Sequence, residues 1–311
     1  MSSNEKARGS GDPSSTRSKV RLLLKAEPFS FGPTAAIASF FPFLRDKFET
    51  IGYIGKGHTL DLQKELAYDE IHDISNLRPG NEQQILHEII AQYDLVFTAL
   101  DFSIAEEAKN WGKDTIVYDP LAWYWKDMPI SLRNDDLYIA QNFYGVKERI
   151  ESDPLSFPDT ELVSPIIGKP ATRRKGKHVL INLGGLKNPF MSSDTIAEYA
   201  GLMADTILDC LPCDENVFIA TSNGVATKLQ NGSSNTYSKS KMEGLIADSK
   251  YAFMTPGLGN IYDAAQQGVP TIWLPPANDS QGQQLDLLTE RSIIDGSMDW
   301  RYFLGTIDYL D

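Results

Sequence analysis

Residues 251–284 read YAFMTPGLGNIYDAAQQGVPTIWLPPANDSQGQQ and carry the clearest signal of the fold. An apolar run over 251–254 precedes a glycine-rich turn, a helical pattern over 260–267 and a second apolar run over 271–274. Short apolar runs bounded by turn residues are typical of buried strands, and their alternation with helices is typical of parallel sheets. The stretch therefore predicts a strand–helix–strand unit of an α/β domain.

The same alternation extends over most of the 311 residues. Strands are predicted at 20–24, 50–54, 95–99, 115–118, 137–140, 178–182, 217–221, 251–254 and 271–274. Helices are predicted from Thr34 and at 81–92, 103–111, 146–151, 193–210, 241–249, 260–267 and 281–291. We expect two Rossmann-like, doubly wound α/β domains that face a cleft, with ligands at the carboxyl ends of their strands.

Composition predicts the limits of these domains. Residues 1–18 are rich in Ser, Gly and charge and lack the apolar surface that offsets ordering entropy, so we expect a disordered tail. A first domain that binds the acceptor is expected over 19–168. Residues 169–177 carry Gly, Pro and five basic residues, as linkers do, and a donor-binding domain is expected over 178–311.

Charge and hydropathy exclude several classes of partner. Lys and Arg number 29 against 42 Asp and Glu, and the resulting net charge of −13 repels duplex nucleic acid and anionic membrane surfaces. A run of 18 apolar residues is absent and the N-terminus is polar, so we expect a cytoplasmic protein without a membrane span. Cys210 and Cys213 are interpreted as reduced cysteines, with a redox pair as the alternative.

The glycine-rich turn predicts a phosphate site. Gly257 and Gly259 let the backbone approach a ligand closely, and the helix that follows presents free N–H groups and a positive dipole end. Asp263 lies about one turn into this helix, where it can reach the ribose of a nucleotide. The alternative is a plain glycine turn with a solvated Asp263. Asp279 and three glutamines follow the next predicted strand, and such side chains read sugar hydroxyls well.

The order Gly-x-Gly-Asn, acidic residue, Gly-Val-Pro, apolar strand, Pro-Pro and Asp-Ser-Gln resembles the donor domain of glycosyltransferases with the two-Rossmann GT-B fold. The lipid II-forming N-acetylglucosaminyltransferase group is the most similar. The resemblance implies that Asp263 bonds the ribose, where the family usually has Glu, and that Asp279 and Gln281 hold the sugar. It implies a diphosphate held by the turn and by the Gly-Gly loop at 182–186, that is by Gly184, Gly185, Gly257, Leu258, Gly259 and Asn260.

The chain departs from this family in three places. The loop EPFSFGP over 27–33, which includes the candidate substrate-binding Gly32, lacks the family's Gly-Gly-His and its acceptor-directed histidine. Thr255 and Pro256 stand where a basic residue is usual. The family's long C-terminal helices are not found before Asp311, from which we expect a truncated or minimal form.

A second resemblance covers the first half. Residues 118–125 (YDPLAWYW) and 136–141 (DLYIAQ) are similar to cytosylglucuronate synthases, which join a sugar from a UDP-uronate to a nucleobase. The aromatic side chains of 118–125 either stack on an acceptor or, as is more common, pack the domain. The candidate general bases are Glu27, Asp101 and Asp119, each of which follows a predicted strand. His58 also follows a predicted strand and could contact a ligand.

These observations predict a glycosyltransferase that moves a sugar from a nucleotide-sugar donor, a UDP-sugar, to a small-molecule acceptor. No metal is required, because an Asp-x-Asp motif is absent and a helix end can replace a cation at the diphosphate. No organic cofactor is expected. Two alternatives stay open: a nucleotide-sugar epimerase of related fold, and a non-catalytic protein that binds nucleotide-sugar.

Overall fold

The computed structural model describes residues 18–77, 80–128, 136–168, 176–188, 191–229 and 234–300. Residues 1–17 of the predicted tail and most of the predicted linker lie outside these ranges, whereas Ser18 is the first residue of a strand. Among the residues described, no helix has the length and apolar character needed to cross a membrane.

The first half forms a sheet of seven parallel strands, in the order β3-β2-β1-β4-β5-β6-β7. Helices connect most of the strands. In chain order the elements are β1 (Ser18–Ala26), α1 (Gly32–Arg45), β2 (Phe48–Gly55), β3 (Glu70–Asp73), α2 (Glu82–Ile90), β4 (Leu95–Ala99), α3 (Phe102–Asn110), β5 (Asp114–Asp119), β6 (Leu137–Gln141), α4 (Val146–Ser152) and β7 (Thr160–Val163).

The second half repeats this plan with six parallel strands, in the order β10-β9-β8-β11-β12-β13. Its elements are β8 (His178–Gly184), α5 (Ser193–Cys210), β9 (Val217–Thr221), α6 (Asn223–Ala226), β10 (Ser234–Asn235), α7 (Lys239–Ala247), β11 (Ser249–Met254), α8 (Leu258–Gln267), β12 (Thr271–Trp273), α9 (Asp279–Glu290) and β13 (Gly296–Ser297). The predicted architecture of two parallel-sheet α/β domains is confirmed.

Both sheets are covered on both faces, which explains the unbroken apolar runs. Leu22 and Leu24 pack with Ile37 and Phe41 of α1, whereas Leu23 packs on the opposite face with the cluster that includes Ile90 of α2 and Ile104 of α3. In the second domain, Val179 and Ile181 pack with the buried face of α5, and the intervening Leu180 packs with residues of α7 and α8. Successive side chains of a strand point to opposite faces of the sheet, so each sheet has a core on each face.

The sequence prediction missed strands at the sheet edges. β3 and β7 are four residues long with exposed or half-exposed side chains, and β10 and β13 are two residues long. Such segments carry no apolar run because neither face is deeply buried. Helices α8 and α9 begin two residues earlier than predicted, at Leu258 and Asp279, and α7 ends at Ala247 because Ser249 already opens β11.

The strand order reverses between β1 and β4 in the first sheet and between β8 and β11 in the second. At such a switch point the loops leaving neighbouring strands run in opposite directions and open a crevice, where ligands of these folds bind. The two crevices face each other. The loops after β1 and β8 touch, because the Ser30 N–H donates to the Lys187 carbonyl oxygen at 2.8 Å.

Candidate active site

A cleft of about 260 Å³ lies between the two domains at the carboxyl ends of their strands. The first domain lines it with Phe29, Ser30, Phe31, Gly32, Pro33, Ala35, Ala36, Ser39, Leu62, Leu100, Tyr118, Pro120, Leu121, Gln141 and Ile166. The second domain lines it with Asn182, Gly184, Gly185, Ala220, Thr221, Tyr237, Lys239, Met242, Thr255, Gly257, Leu258, Gly259, Asn260, Tyr262, Asp263, Asn278, Ser280, Gln281 and Gln284. The first wall is mainly apolar, and the second is mainly polar.

Most residues predicted for substrate binding line this cleft. They are Gly32, Gly184, Gly185, Gly257, Leu258, Gly259, Asn260, Asp263 and Gln281. The structure does not bring Asp279 into the lining, nor any of the three acidic residues predicted as a base: Glu27, Asp101 and Asp119.

The N-terminus of α8 presents free backbone donors to the cleft. Gly257 is the residue before the helix, and no side chain caps the helix end. Within the described part of the chain, none of the backbone N–H groups of Leu258, Gly259 and Asn260 donates a hydrogen bond. First-turn donors and the helix dipole together attract an anion, so this end of α8 suits a phosphate group.

A buried amide network fixes the turn before α8. Asn182, at the end of β8, donates from Nδ2 to Oδ1 of Asn260 at 3.0 Å, and its Oδ1 accepts from the Gly184 N–H at 3.0 Å. Asn260 donates from Nδ2 to the Thr255 carbonyl oxygen at 2.9 Å. The side chain of Asn260 is therefore engaged in holding the loop, and only its backbone N–H faces a ligand.

The two glycines after β8 differ in their surroundings. Gly184 has φ of 67°, a left-handed conformation that favours glycine. Gly185 lies against the first domain: a Cβ built on it would sit 2.6 Å from the Phe31 nitrogen and 2.8 Å from the Ser30 carbonyl carbon. A side chain at 185 would collide with backbone, so Gly185 permits close contact between the domains as well as lining the cleft.

Asp263 is the one acidic residue among the described residues that line the cleft. Burial raises the pKa of its carboxyl from 3.8 to about 6, with Lys239 opposing the shift and Glu243 adding to it. The carboxylate makes no hydrogen bond within the described part of the chain. At neutral pH it is ionised, partly desolvated and unpartnered, as expected for a group that accepts from ligand hydroxyls.

The loop before α9 and its first turn provide amides and hydroxyls. Gln281 has its Oε1 engaged by the Ala277 N–H at 2.9 Å. Gln284 is 2% exposed, and its Oε1 has no hydrogen-bond partner. Asp279 is exposed and turns toward the first domain, where its carboxylate accepts from the Tyr124 hydroxyl at 2.9 Å. Gln284 therefore lines the cleft, whereas Asp279 does not.

Asp101 is held in a buried ion pair. It caps α3 by accepting from the Ile104 N–H at 3.1 Å, and it pairs with the buried Lys25 and with Ser103. Burial alone would raise the pKa of Asp101, but Lys25 and these hydrogen bonds outweigh it and lower the pKa. This carboxylate has no free lone pair directed at the cleft, so its surroundings favour a structural role.

Asp119 is fully buried at the end of β5. It accepts from the Leu121 N–H at 2.6 Å, from Nε1 of Trp125 at 2.9 Å and from the Tyr138 hydroxyl at 2.5 Å. Burial raises the pKa of Asp119 to about 6 against the opposing effect of these donors. Asp119 thus organises the loop after β5 from below and does not reach the cleft.

Glu27 is the predicted base with a free carboxylate. It lies half-buried two residues before Phe29, and its side chain makes no hydrogen bond in the ranges that the structure describes. Burial, followed by the charge of Asp101, raises the pKa of Glu27 to about 7, while Lys25 and Lys56 act in the opposite direction. His58 instead bonds the Ser30 carbonyl oxygen through Nε2 at 2.8 Å, and burial lowers its pKa.

The aromatic residues after β5 pack the domain. Trp123 stacks on Phe143 with ring centroids 5.2 Å apart, and Trp125 bonds Asp119. Neither ring lines the cleft. The packing interpretation of this segment therefore fits the structure better than acceptor stacking.

Several polar residues of the lining were not named as site residues from the sequence, among them Gln141 and Lys239, whereas Gln284 is one of the three glutamines that the sequence analysis considered for the sugar. Lys239, the one cation among the described lining residues, begins α7 and bonds Ser39 of α1 across the cleft. The position of Gln141 at the end of β6 is the signal that could have identified it, because ligands of such folds bind at strand ends. Lys239 and Gln284 lie inside helices, where the sequence alone does not show which face meets the cleft. In the described ranges, no group of three or more His, Cys, Asp or Glu side chains is arranged to hold a metal ion.

No family model and no curated protein matches this sequence. Several solved structures do resemble the fold. A UDP-glucosyltransferase from Polygonum tinctorium, solved as a complex with 3,4-dichloroaniline, aligns with a TM-score of 0.54 and 14% identity over 92% of this chain and 86% of that chain. Arabidopsis thaliana UGT89C1, complexed with UDP-L-rhamnose, aligns with a TM-score of 0.51 and 12% identity over 90% of this chain and 85% of that one.

A UDP-glucose:anthocyanidin 3-O-glucosyltransferase in complex with UDP aligns with a TM-score of 0.53 and 10% identity, over 91% of this chain and 86% of that chain. At such identities the likeness concerns the fold. None of these three structures represents the lipid II-forming group or the cytosylglucuronate synthases, so those narrower resemblances stay predictions. With two facing parallel-sheet domains and these structural relatives over about nine-tenths of its length, the chain has the GT-B fold.

Proposed function

We propose that this protein is a glycosyltransferase that moves a sugar from a nucleotide-sugar donor, a UDP-sugar, to a small-molecule acceptor. The observation that carries the proposal is the end of α8: three backbone N–H groups without partners face the cleft one turn before an unpartnered Asp263. The spacing suits a diphosphate on the amides and a ribose on the carboxylate. Two of the structural relatives were solved with UDP-L-rhamnose and with UDP bound, which supports the same donor class.

The proposed reaction is displacement at the anomeric carbon of the donor. A nucleophilic atom of the acceptor forms the new bond to that carbon as the bond to the diphosphate oxygen breaks. The amides of Leu258, Gly259 and Asn260 stabilise the charge that develops on the leaving diphosphate, without a required metal. Gln281 and Gln284 read the sugar hydroxyls. Glu27 lies outside the lining, two residues before Phe29, and is the base we propose for the acceptor's proton because its carboxylate is free and its pKa is raised to about 7.

The lining also distinguishes this proposal from an epimerase of related fold. An epimerase that removes and returns a proton needs several acidic groups around the sugar. Asp263 is the single acidic member of the lining as described, and its place beside α8 suits the ribose. A non-catalytic binding protein is separated by experiment, because it binds the nucleotide without releasing it from a nucleotide-sugar.

The test compares Asp263→Asn with the parent protein by titration calorimetry with UDP. A hydrogen bond to a charged group contributes about 1.5–3 kcal/mol, so we expect UDP to bind about 10- to 100-fold more weakly to the variant. The control is Asp286→Asn, which removes the same charge from an exposed position on α9 outside the cleft. UDP affinity that is equal in all three proteins removes the ribose assignment.

Release of free UDP from UDP-sugars completes the test. Release that depends on an added acceptor supports a transferase. Tight UDP binding with no release from any UDP-sugar, across a panel of phenols, alcohols and nucleobases, supports a binding protein instead.

A further inference from the structure

The first-domain wall of the cleft carries a buried amide with an unused donor. Gln141 closes β6 and is 4% exposed, yet its Nε2 has no hydrogen-bond partner among the residues that the structure describes. An unpartnered buried donor costs stability, so its presence in a cleft wall indicates that a ligand atom completes it. The atom required is a hydrogen-bond acceptor, such as a carbonyl oxygen or a ring nitrogen.

The orientation of this amide is fixed from behind. The Tyr118 hydroxyl donates to Oε1 of Gln141 at 2.6 Å, which leaves Nε2 as the free end. Tyr118 is itself buried and rests edge-on against Phe40, with ring centroids 5.0 Å apart. The pair is therefore preorganised before any ligand binds, which lowers the entropic cost of recognition.

The rest of this wall is apolar and uncharged. Phe29, Phe31 and Ile166 line it, and none of the described first-domain residues of the lining carries a formal charge. Away from Ser39, which Lys239 of the opposite wall bonds, a charged ligand on this wall would lose its hydration without gaining a counter-charge, which is costly. Aromatic and aliphatic walls favour a flat, apolar ring.

We infer that the acceptor of the proposed transfer is an uncharged ring compound whose edge bears a carbonyl or ring nitrogen that accepts from Nε2 of Gln141. That this ring compound is the acceptor of a transfer rests on the proposed function. That the wall binds such a ring rests on the contacts described above. It makes Gln141 a specificity-determining residue that discriminates between rings of equal size by one hydrogen bond.

A matched pair of probes tests the inference with the full chain. 7-Hydroxycoumarin and 2-naphthol each have two fused six-membered rings and one hydroxyl, but only the coumarin has a carbonyl. Binding of each is titrated at about pH 6. We expect the coumarin to bind about tenfold more tightly, which corresponds to one net hydrogen bond. 7-Hydroxycoumarin-3-carboxylate, which adds a charge, is expected to bind at least about tenfold more weakly than 7-hydroxycoumarin.

Two variants assign the preference to the amide. Both variants carry Tyr118→Phe, which removes the hydroxyl that bonds Gln141. A change at Gln141 alone would leave this buried hydroxyl without a hydrogen-bond partner. Tyr118→Phe, which frees the amide to rotate, should keep a reduced preference for the coumarin, and Tyr118→Phe with Gln141→Met should lose it. Melting temperatures and UDP affinities of both variants check that the fold and the opposite wall are intact.

Three results overturn the inference: equal binding of the two probes by the parent protein, an undiminished preference in the double variant, or no binding of the coumarin. UDP titration separates this outcome from that of the proposed function. If UDP binds and the coumarin does not, the proposed function is still supported and the inference about the acceptor is wrong. If the coumarin binds through Gln141 and UDP does not bind, the inferred binding site is supported and the proposed function is wrong.

Discussion

At the scale of single residues, burial raises the pKa of both Glu27 and Asp119, but the two carboxyl groups suit different roles. Burial is the main reason that the pKa of each carboxyl is raised, to about 7 for Glu27 and about 6 for Asp119. Three donors occupy Asp119, whereas none in the described chain reaches the carboxylate of Glu27. A raised pKa near neutrality with a free lone pair suits a base, and the same shift with full hydrogen bonding suits a structural anchor.

The first residue-scale prediction concerns Glu27→Gln. In the proposed transfer Glu27 acts as the deprotonated carboxylate, so we expect kcat/KM of the parent protein to rise with pH through about 7 and level off above it. The variant should lose about 10²- to 10⁴-fold in kcat and lose this pH dependence, while UDP binds as before. Glu65→Gln on an exposed site is the control. An unchanged profile in Glu27→Gln would rule out Glu27 as the base.

The second concerns Asp119→Asn. The amide has one acceptor oxygen where the carboxyl group, protonated or not, has two, so the donors from Leu121, Trp125 and Tyr138 are no longer all satisfied. We expect a loss of about 1–3 kcal/mol in the free energy of unfolding at about pH 5, measured by urea denaturation.

Linkage sets how that loss varies with pH. Because the folded pKa of Asp119 is raised, its protonation stabilises the parent protein at low pH, and this contribution disappears as pH rises through about 6. The deficit of the variant should therefore be smaller at about pH 8. A deficit that grows with pH, or a loss of turnover without any loss of stability, contradicts the anchoring role.

At the scale of elements, the loops that leave β1 and β8 meet at Gly185. The close approach to Phe31 tolerates no Cβ, and the hydrogen bond from Ser30 to Lys187 lies beside it. The geometry of the cleft therefore depends on a backbone contact between two loops.

Gly185→Ala tests this contact. The new methyl group would collide with backbone of the other domain, and we expect a loss of about 1–3 kcal/mol in stability together with a raised KM for the acceptor. The matched control is Gly224→Ala in α6, where a Cβ meets nothing within 4 Å. Melting temperatures and steady-state kinetics measure both effects. Equal behaviour of the two variants would show that the loops separate without cost.

Prediction from sequence succeeded where a single element carried the signal. Unbroken apolar strands such as 178–182 exist because both faces of the sheet are covered, and that condition is local to the strand. It failed at β3 and β7, whose side chains are largely exposed. Partners of side chains could not be predicted, because pairs such as Tyr124 and Asp279 lie 155 residues apart and their orientations depend on the finished packing.

At the scale of the whole molecule, each of the two sheets has its own cores. Each sheet is covered by its own helices, and Tyr124 with Asp279 and Lys239 with Ser39 are among the side-chain hydrogen bonds between the domains. A ligand held mainly by one domain should therefore stabilise the two halves unequally.

Hydrogen exchange with UDP measures this inequality. At about 100 times its dissociation constant, UDP should add about 2.7 kcal/mol to the opening free energy of amides in β8 and β11. Amides of β4 and β5, in the other core, should gain less. Equal gains in both sheets would show that the chain opens as one cooperative unit and that the second domain is not the main donor site.

The contact at Gly185 also has a mechanical consequence. Since two backbones touch at Gly185, we expect any relative motion of the two domains to pivot close to this contact. The hydrogen bonds of Lys239 with Ser39 and of Tyr124 with Asp279 also join the domains, so we expect them to break when the cleft opens.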